Sequence, residues 1–171
     1  TMSQVGVEYV ELGFRSFQTK DFKGPTWYTT ESYLNSFSIP KKIKIGVMVN
    51  ASELINHSSG YLKATKKMFL DSKKSKVKLV RLACHLEEFK KTAEVCKILK
   101  KMGYLVGINL MQVSEHSSEA VIAVSKIAKE AKPDVLYFAD SLGGMLPSQI
   151  SNVVNNLRKY WKGDLGIHTH N

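Results

Sequence analysis

The fold and the site of this chain are best inferred from the segment Asp164-Leu165-Gly166-Ile167-His168-Thr169-His170-Asn171. Its two histidines are separated by one residue. If the segment is a β-strand, both imidazoles lie on the same face and point toward one place. Two convergent imidazoles at the end of a strand are typical of half of a divalent-metal site. A pair of histidines that simply face solvent is the alternative interpretation of this short pattern.

Upstream of this segment, strand-like and helix-like stretches alternate along the chain. Apolar residues recur at helical spacing before Gly103, before Lys132-Pro133 and after Pro147. Such alternation predicts an α/β protein with a parallel sheet and right-handed crossovers. The six predicted strands are Val7–Phe14, Ile43–Asn50, Val77–His85, Tyr104–Gln112, Asp134–Ser141 and Leu165–His170.

The alternation of residue types within the strands favours a barrel over an open sheet. In 43–50 the odd positions are β-branched, and in 104–111 the even positions from Val106 to Leu110 are aliphatic. One face is therefore expected to pack on helices, while the other carries Gly, Asn, His and Asp, as in a TIM (β/α)8-type barrel. Such barrels typically need about 250 residues. Residues 1–171 are thus interpreted as one partial barrel domain of six parallel strands, with one strand missing at each end.

Composition narrows the functional classes. The chain has 25 Lys and Arg against 15 Asp and Glu, a formal net charge of +10. The lysines occur in pairs on predicted loops and polar helix faces without RNA-binding aromatics, which favours a solvated surface over nucleic-acid binding. The sequence contains no apolar run of about 18 residues, so no membrane span is predicted. The first residues of the sequence lack the pattern of a secretory signal. Cys84 and Cys96 lie in apolar segments and are expected to be reduced core residues of a cytoplasmic protein.

Polar and charged residues are concentrated at the carboxyl ends of the predicted strands, where parallel α/β proteins build their sites. All five histidines of the chain lie at or just after a strand end. Strand alternation places Glu11, Gly13 and Arg15 on one face, and Arg81, Ala83 and His85 on one face of another strand. Each candidate also has a structural interpretation: an ion pair for Glu11, a surface cap for Arg15, a rim hydrogen bond for His85, and a helix cap and turn for Asp140 and Ser141. His57 and His116 are interpreted as loop residues.

Three motifs in this order resemble the DRE–TIM metallolyase family, also called HMGL-like. They are 7–16 (VEYVELGFRS), 138–145 (FADSLGGM) and 166–171 (GIHTHN). The family includes 4-hydroxy-2-oxovalerate aldolase, hydroxymethylglutaryl-CoA lyase, isopropylmalate and homocitrate synthases, and the carboxyltransferase part of pyruvate carboxylase. The resemblance covers essentially the whole chain, as strands two to seven of the barrel. The motif 166–171 and the segment 81–85 (RLACH) are most similar to the aldolase branch, and Arg15 after Gly13-Phe14 departs from the synthase pattern.

The resemblance implies a divalent metal held by His168 and His170, with Asn171 behind them, and by an aspartate on the first barrel strand. No segment matching that first strand stands before Thr1 in the sequence printed above. Mn²⁺ is the expected metal, with Mg²⁺ or Zn²⁺ as alternatives. The implied catalytic residues are Glu11, Arg15 and His85, and the implied substrate-binding residues are Arg15, Asp140 and Ser141.

The expected reaction is aldol cleavage of a 4-hydroxy-2-oxo acid through pyruvate enolate chemistry, performed by a longer protein, with the 171-residue chain alone inactive. Two alternatives stay open: an acyl-CoA-dependent Claisen synthase or lyase of the same superfamily, and a non-catalytic barrel fragment that serves as an interaction module. The expected partners are a small 2-oxo acid substrate and a second copy or a partner domain, with neither nucleic acid nor membrane.

Overall fold

The computed structural model describes Met2 and residues 4–170, so Thr1, Ser3 and Asn171 lie outside the described residues. The described chain forms one six-stranded sheet in which every strand pairs in parallel with its neighbour in sequence, in the order β1 to β6. The strands are β1 Tyr9–Phe14, β2 Lys44–Asn50, β3 Val77–Cys84, β4 Leu105–Leu110, β5 Val135–Asp140 and β6 Asp164–Thr169.

Helices follow each of the first five strands. They are α1 Pro25–Tyr28, α2 Glu31–Asn35, α3 Ala51–Ile55, α4 Tyr61–Met68, α5 Phe89–Lys101, α6 Ser118–Ala131 and α7 Pro147–Arg158. The prediction of six parallel strands in an incomplete barrel is confirmed, with ends that differ by one or two residues. The two short helices after β1 and the two after β2 were not predicted. No helix of the described residues is long and apolar enough to cross a membrane.

The hydrophobic core lies between the outer face of the sheet and the helices. Val47 and Val49 on β2, and Val106, Ile108 and Leu110 on β4, are at most 1% exposed. They pack against the helices, among which α5 lies on β3 and β4. The alternate positions of these strands face the concave side. The prediction of one aliphatic face and one face with polar residues and glycines therefore holds for these strands.

A β-bulge near Gly13 changes the alternation on β1. Glu11 pairs with Gly46 while Phe14 pairs with Met48, so β1 has one residue more than β2 between these pairs. Gly13 has φ +118, and a Cβ there would lie 2.6 Å from the carbonyl oxygen of Thr26, so only glycine fits. The prediction that Glu11, Gly13 and Arg15 share one face is wrong, because the extra residue turns Phe14 toward the concave side.

The ring of Tyr137 on β5 covers two glycines of the neighbouring strands on the concave face. A Cβ on Gly107 of β4 would lie 2.8 Å from the ring, and one on Gly166 of β6 would overlap it. Those neighbouring strands therefore need glycine at these positions. The ring forms a floor beneath the carboxyl ends of the strands.

Gly166→Ala should therefore destabilise the fold. The added methyl group collides with the Tyr137 ring, and overpacking of this kind costs about 1–3 kcal/mol. The free energy of unfolding in urea measures the loss.

Gly144→Ala is the matched control, because a Cβ at Gly144 meets nothing within 4 Å. Its free energy of unfolding should stay within about 0.5 kcal/mol of the parent value. Equal losses in the two variants would show that the Tyr137 ring does not need the space at Gly166.

Candidate functional site

A cavity of about 440 Å³ opens at the carboxyl ends of the strands. Its volume lies within the range of about 300–1,000 Å³ that is usual for small-molecule sites. Every one of the six strands, or the residues directly after it, contributes to the wall. The lining residues are Phe14, Met48, Asn50, Ala83, His85, Asn109, Met111, Gln112, Ala139, Ser141, Leu142, His168 and His170.

His168 and His170 lie in this cavity on the same face of the chain. Their ring centroids are 4.9 Å apart, and the rings are inclined by 77°. His168 is half-buried and His170 is exposed. His85, at the end of β3, lines the same cavity and is half-buried. The structure therefore brings three of the sequence-selected histidines into one place.

Arg81 on β3 is a residue of the site that the sequence analysis did not select. Its Nε and Nη2 atoms donate to Oε2 and Oε1 of Glu11 at 2.9 and 2.7 Å. Its Nη1 atom lies 3.3 Å from Nδ1 of His168, and its guanidinium lies over the Tyr137 ring at 5.5 Å. Because a guanidinium only donates, this contact orients His168 with the Nδ1 lone pair toward Arg81. A signal for Arg81 was present in the strand alternation, which put it on the same face as His85.

The surroundings of His168 favour its neutral form. Burial lowers the pKa of His168, the positive charges of Arg81 and His170 lower it further, and Glu11 opposes them. Metal ions bind imidazole only when it is unprotonated. The local electrostatics therefore keep His168 in the state that a ligand or a base requires.

Arg81→Gln should raise the pKa of His168. The substitution removes the guanidinium charge beside the imidazole and leaves the Glu11 carboxylate, which favours the protonated ring. An NMR titration of the His168 Cε1 proton measures the shift. Lys97→Gln, on the exposed surface of α5, is the control and should leave that titration where it was. A His168 pKa that stays constant or falls in Arg81→Gln would contradict this electrostatic account.

Arg15 lies in a different cavity, of about 600 Å³, together with His57 and Lys67. Its side chain is 4% exposed. Nε and Nη2 donate to the carbonyl oxygen of Thr29 at 3.0 and 2.6 Å, and Nη1 donates to Glu31 at 2.8 Å. The bulge at Gly13 is the reason, since it directs Arg15 away from the concave face. The catalytic and substrate-binding roles of Arg15 stay predictions, but the structure does not place it beside the histidines.

The partners of Arg15 indicate a structural contribution. Burial raises the pKa of the Glu31 carboxyl, but hydrogen bonds from Ser75 and Arg15 outweigh burial and hold that pKa below its usual value. Ser75 donates to Glu31 at 2.6 Å, so the Arg15–Glu31 pair connects the segment after β1 to the start of β3.

Arg15→Met should lower the free energy of unfolding by about 3 kcal/mol, because it removes one partner of a largely buried ion pair. Urea denaturation measures the change. Lys97→Met breaks the exposed pair with Glu94 and serves as the control, with a loss of at most about 0.5 kcal/mol. An Arg15→Met variant with the same free energy of unfolding as the parent protein would contradict the structural role of Arg15.

Asp140 caps a turn and does not line the cavity. It is 5% exposed, and its Oδ1 and Oδ2 atoms accept hydrogen bonds from the backbone N–H groups of Gly144 and Met145 at 3.3 and 3.0 Å. In this structure the Asp140 carboxylate therefore shapes the loop after β5, and its expected substrate contact stays a prediction. Ser141 does line the cavity, and its Oγ atom accepts from the backbone N–H of Gln112 at 3.0 Å. Its hydroxyl proton is therefore free to be donated to a ligand.

The two cysteines are not part of the site. Both are buried free thiols, and burial raises the pKa of each thiol to about 12. Neither forms a thiolate nucleophile near neutral pH. Their placement agrees with the prediction of core cysteines.

Comparisons with known proteins give sequence relatives that include aldolases and a synthase. A 4-hydroxy-2-oxovalerate aldolase of Geobacillus thermodenitrificans is 30% identical over 95 residues, which cover 56% of this chain and 28% of that enzyme. A protein assigned as an (R)-citramalate synthase of Archaeoglobus fulgidus is 31% identical over 80 residues, 47% of this chain and 16% of that protein. The matched segments thus span less than a third of these relatives. No family model matches the chain.

Solved structures share the fold over nearly the whole chain. The N-terminal domain of a protein assigned as an aldolase from Bacteroides vulgatus has a TM-score of 0.76 at 24% identity, covering 96% of this chain and 52% of that one. The HMG-CoA lyase of Bacillus subtilis has a TM-score of 0.72 at 14% identity, covering 99% and 58%. The chain is therefore similar in sequence to part of an aldolase and of a synthase, and it shares the fold of an HMG-CoA lyase. It spans about half the length of the two solved chains.

The donor set of the cavity fits part of the metal site that is expected for a DRE–TIM metallolyase. His168 and His170 provide two imidazoles on one face. Within Met2 and residues 4–170, no group of three His, Cys, Asp or Glu side chains could hold a metal ion. The metal role of the two histidines, which the family resemblance implies, therefore stays a prediction. Asn171, expected to support them, lies outside the described residues.

Proposed function

We propose that this chain forms part of a divalent-metal-dependent aldolase or carbon–carbon lyase, and that the cavity binds a 4-hydroxy-2-oxo acid. The observation that carries the proposal is the pair His168 and His170 in a cavity at the carboxyl ends of parallel strands. The named aldolase relatives support the same reaction class. The proposed activity belongs to a longer protein that contains this barrel segment.

His168 and His170 would hold the metal in this proposal, with Mn²⁺ as the expected ion and Mg²⁺ or Zn²⁺ as alternatives. A divalent cation there supplies a Lewis acid for the 2-oxo acid. Glu11 acts through Arg81 as a positioning residue, since it binds two of the guanidinium nitrogens and Arg81 in turn contacts His168. Ser141 donates its hydroxyl proton to a substrate oxygen.

His85 is the proposed base. It accepts the proton of the 4-hydroxyl group as the bond between carbons 3 and 4 breaks and the aldehyde forms. The electrons of the broken bond form the double bond between carbons 2 and 3, and the 2-oxo oxygen takes up the negative charge, which gives the enolate of pyruvate. Carbon 3 then takes up one proton and the protonated His85 gives one up, so the base is restored. Apolar side chains on the wall, including Phe14, Met48 and Met111, limit the access of water to the enolate.

An acyl-CoA-dependent Claisen synthase or lyase is the second candidate. The relative assigned as a citramalate synthase and the fold shared with HMG-CoA lyases favour it. Assays with acetyl-CoA and a 2-oxo acid distinguish the two, because only the Claisen reaction releases free CoA thiol. Absence of metal binding and of both reactions would favour the third alternative, an interaction module whose edge strands β1 and β6 are covered by a second copy or a partner domain.

His168→Ala and His170→Ala should each weaken Mn²⁺ binding at least tenfold, because each removes a ligand atom that contacts the metal. Calorimetry on the parent chain and on both variants measures the change. In the longer protein the same variants should abolish pyruvate release from 4-hydroxy-2-oxopentanoate.

His57→Ala is the matched control, because His57 lines the other cavity and its Nδ1 atom accepts from the backbone of Ser59. Metal affinity and pyruvate release should be unchanged in this variant. Parent-like Mn²⁺ affinity in both His168→Ala and His170→Ala would refute the metal assignment.

A further inference from the structure

Gln112, the second residue after β4, has a backbone conformation that glutamine rarely adopts. Its φ of 52° and ψ of 41° lie in the left-handed region that favours glycine. Within the described residues, the other non-glycine residues with a positive φ are Thr29 and Lys132. Both of these end a helix, where the left-handed conformation is common. Gln112 follows a strand, so the end of a helix does not account for its conformation.

Two hydrogen bonds hold the backbone of Gln112 in this conformation. Its N–H group donates to Oγ of Ser141 at 3.0 Å, and its carbonyl oxygen accepts from the N–H group of Glu115 at 3.0 Å. A left-handed conformation costs free energy in a residue other than glycine, and residues of this kind cluster at ligand sites. The two hydrogen bonds therefore fix the point from which the Gln112 side chain starts.

The side chain of Gln112 is available to a ligand. Gln112 lines the cavity and is half-buried. Within the part of the chain that the structure describes, its carboxamide forms no hydrogen bond, and its polar atoms are not among those shielded from solvent. The carboxamide carries two N–H donors and one acceptor oxygen. A ligand in the cavity can therefore reach it without displacing a partner.

The other groups of the wall indicate what this carboxamide would bind. The lining residues that the structure describes include neither lysine nor arginine, and Arg15 lies in the other cavity. A carboxylate in this cavity therefore depends on neutral donors in addition to a metal ion. Ser141 has a hydroxyl proton to donate, because its Oγ atom accepts from the backbone N–H of Gln112. The two side chains thus offer donors at the neighbouring carboxyl ends of β4 and β5.

We infer that the carboxamide of Gln112 donates a hydrogen bond to the carboxylate of the 2-oxo acid, together with the hydroxyl group of Ser141. This inference rests on the proposed function and adds a specificity-determining residue to it. Ser141 follows Asp140, which pairs with Thr169 on β6, so the two donors lie on the side of the cavity that adjoins the histidines. Gln112 then selects a charged 2-oxo acid over the corresponding neutral ester.

The experiment is an NMR titration of the chain with pyruvate in the presence of Mg²⁺, the diamagnetic alternative to Mn²⁺. In the parent chain, the side-chain amide protons of Gln112 should shift as pyruvate is added. Gln112→Met keeps the length of the side chain and removes its donors. It should bind pyruvate about tenfold more weakly, because a hydrogen bond to a charged acceptor is lost. Its affinity for methyl pyruvate, which has no negative charge, should fall less.

Urea denaturation of the ligand-free proteins separates a binding role from a structural one. Gln112→Gly should be at least as stable as the parent, because glycine adopts the left-handed conformation without steric cost. It should bind pyruvate as weakly as Gln112→Met does. A structural glutamine would instead destabilise the fold when replaced by glycine.

Asn50→Leu is the matched control for the titration. It removes another carboxamide of the same cavity, at the end of β2, where Asn50 is exposed and has an ordinary φ of −71°. Its dissociation constant for pyruvate should equal that of the parent chain. A loss of affinity as large as that of Gln112→Met would contradict a specific role of Gln112.

Failure of this inference is distinguishable from failure of the proposed function. Parent-like affinity for pyruvate in Gln112→Met, or lowered stability of Gln112→Gly, would overturn the role of Gln112 while metal-dependent pyruvate binding stands. Pyruvate binding that needs Gln112 but neither Mg²⁺ nor His168 would overturn the aldolase proposal and keep the carboxylate contact. No binding of pyruvate by the parent chain would overturn both.

Discussion

The side chain of Arg81 joins the two edges of the sheet. Arg81 lies on β3, binds Glu11 on β1 and contacts His168 on β6. In a flat sheet, β3 and β6 would be about 14 Å apart, beyond the reach of an arginine side chain. The contact therefore requires the sheet to curl, and curling is what makes the carboxyl ends converge on one cavity. The Tyr137 ring lies beneath the guanidinium of Arg81, and Gly107 and Gly166 lie beneath the ring. These residues support the Arg81 side chain from below.

The same arrangement sets the chemistry of the cavity. A positive charge next to His168 disfavours a second one on the imidazole, while Glu11 limits the effect by pairing with Arg81. The polar groups of the wall then lie at two depths. The histidines lie toward the opening, and the amide of Asn109 lies deep, in a strand whose outward side chains are all aliphatic.

Sequence periodicity predicted the strands closely because it depends on local geometry. Val47 and Val49 on one strand and Ile108 and Leu110 on another repeat every second residue, and that repeat holds wherever a strand packs one face on helices. The same rule put His168 and His170 on one face and His85 at a neighbouring strand end. It failed at Gly13, where one extra residue reverses the alternation. Glycine alone does not distinguish a bulge from an ordinary strand position, so Arg15 was assigned to the wrong face.

By itself, the sequence determined the class of the fold, the positions of the strands and the histidines that meet at their carboxyl ends. These follow from side-chain spacing along single strands. Only the tertiary structure decided which charges pair, which carboxylate caps a turn and which polar atom is unpaired. Arg81 and Glu11 are 70 residues apart in the chain, and the Asp140 carboxylate accepts a hydrogen bond from the backbone N–H of Met145 in the loop after β5. Whether the buried side-chain oxygen of Asn109 finds a hydrogen-bond partner depends on residues of other strands, and no spacing within one strand contains that information.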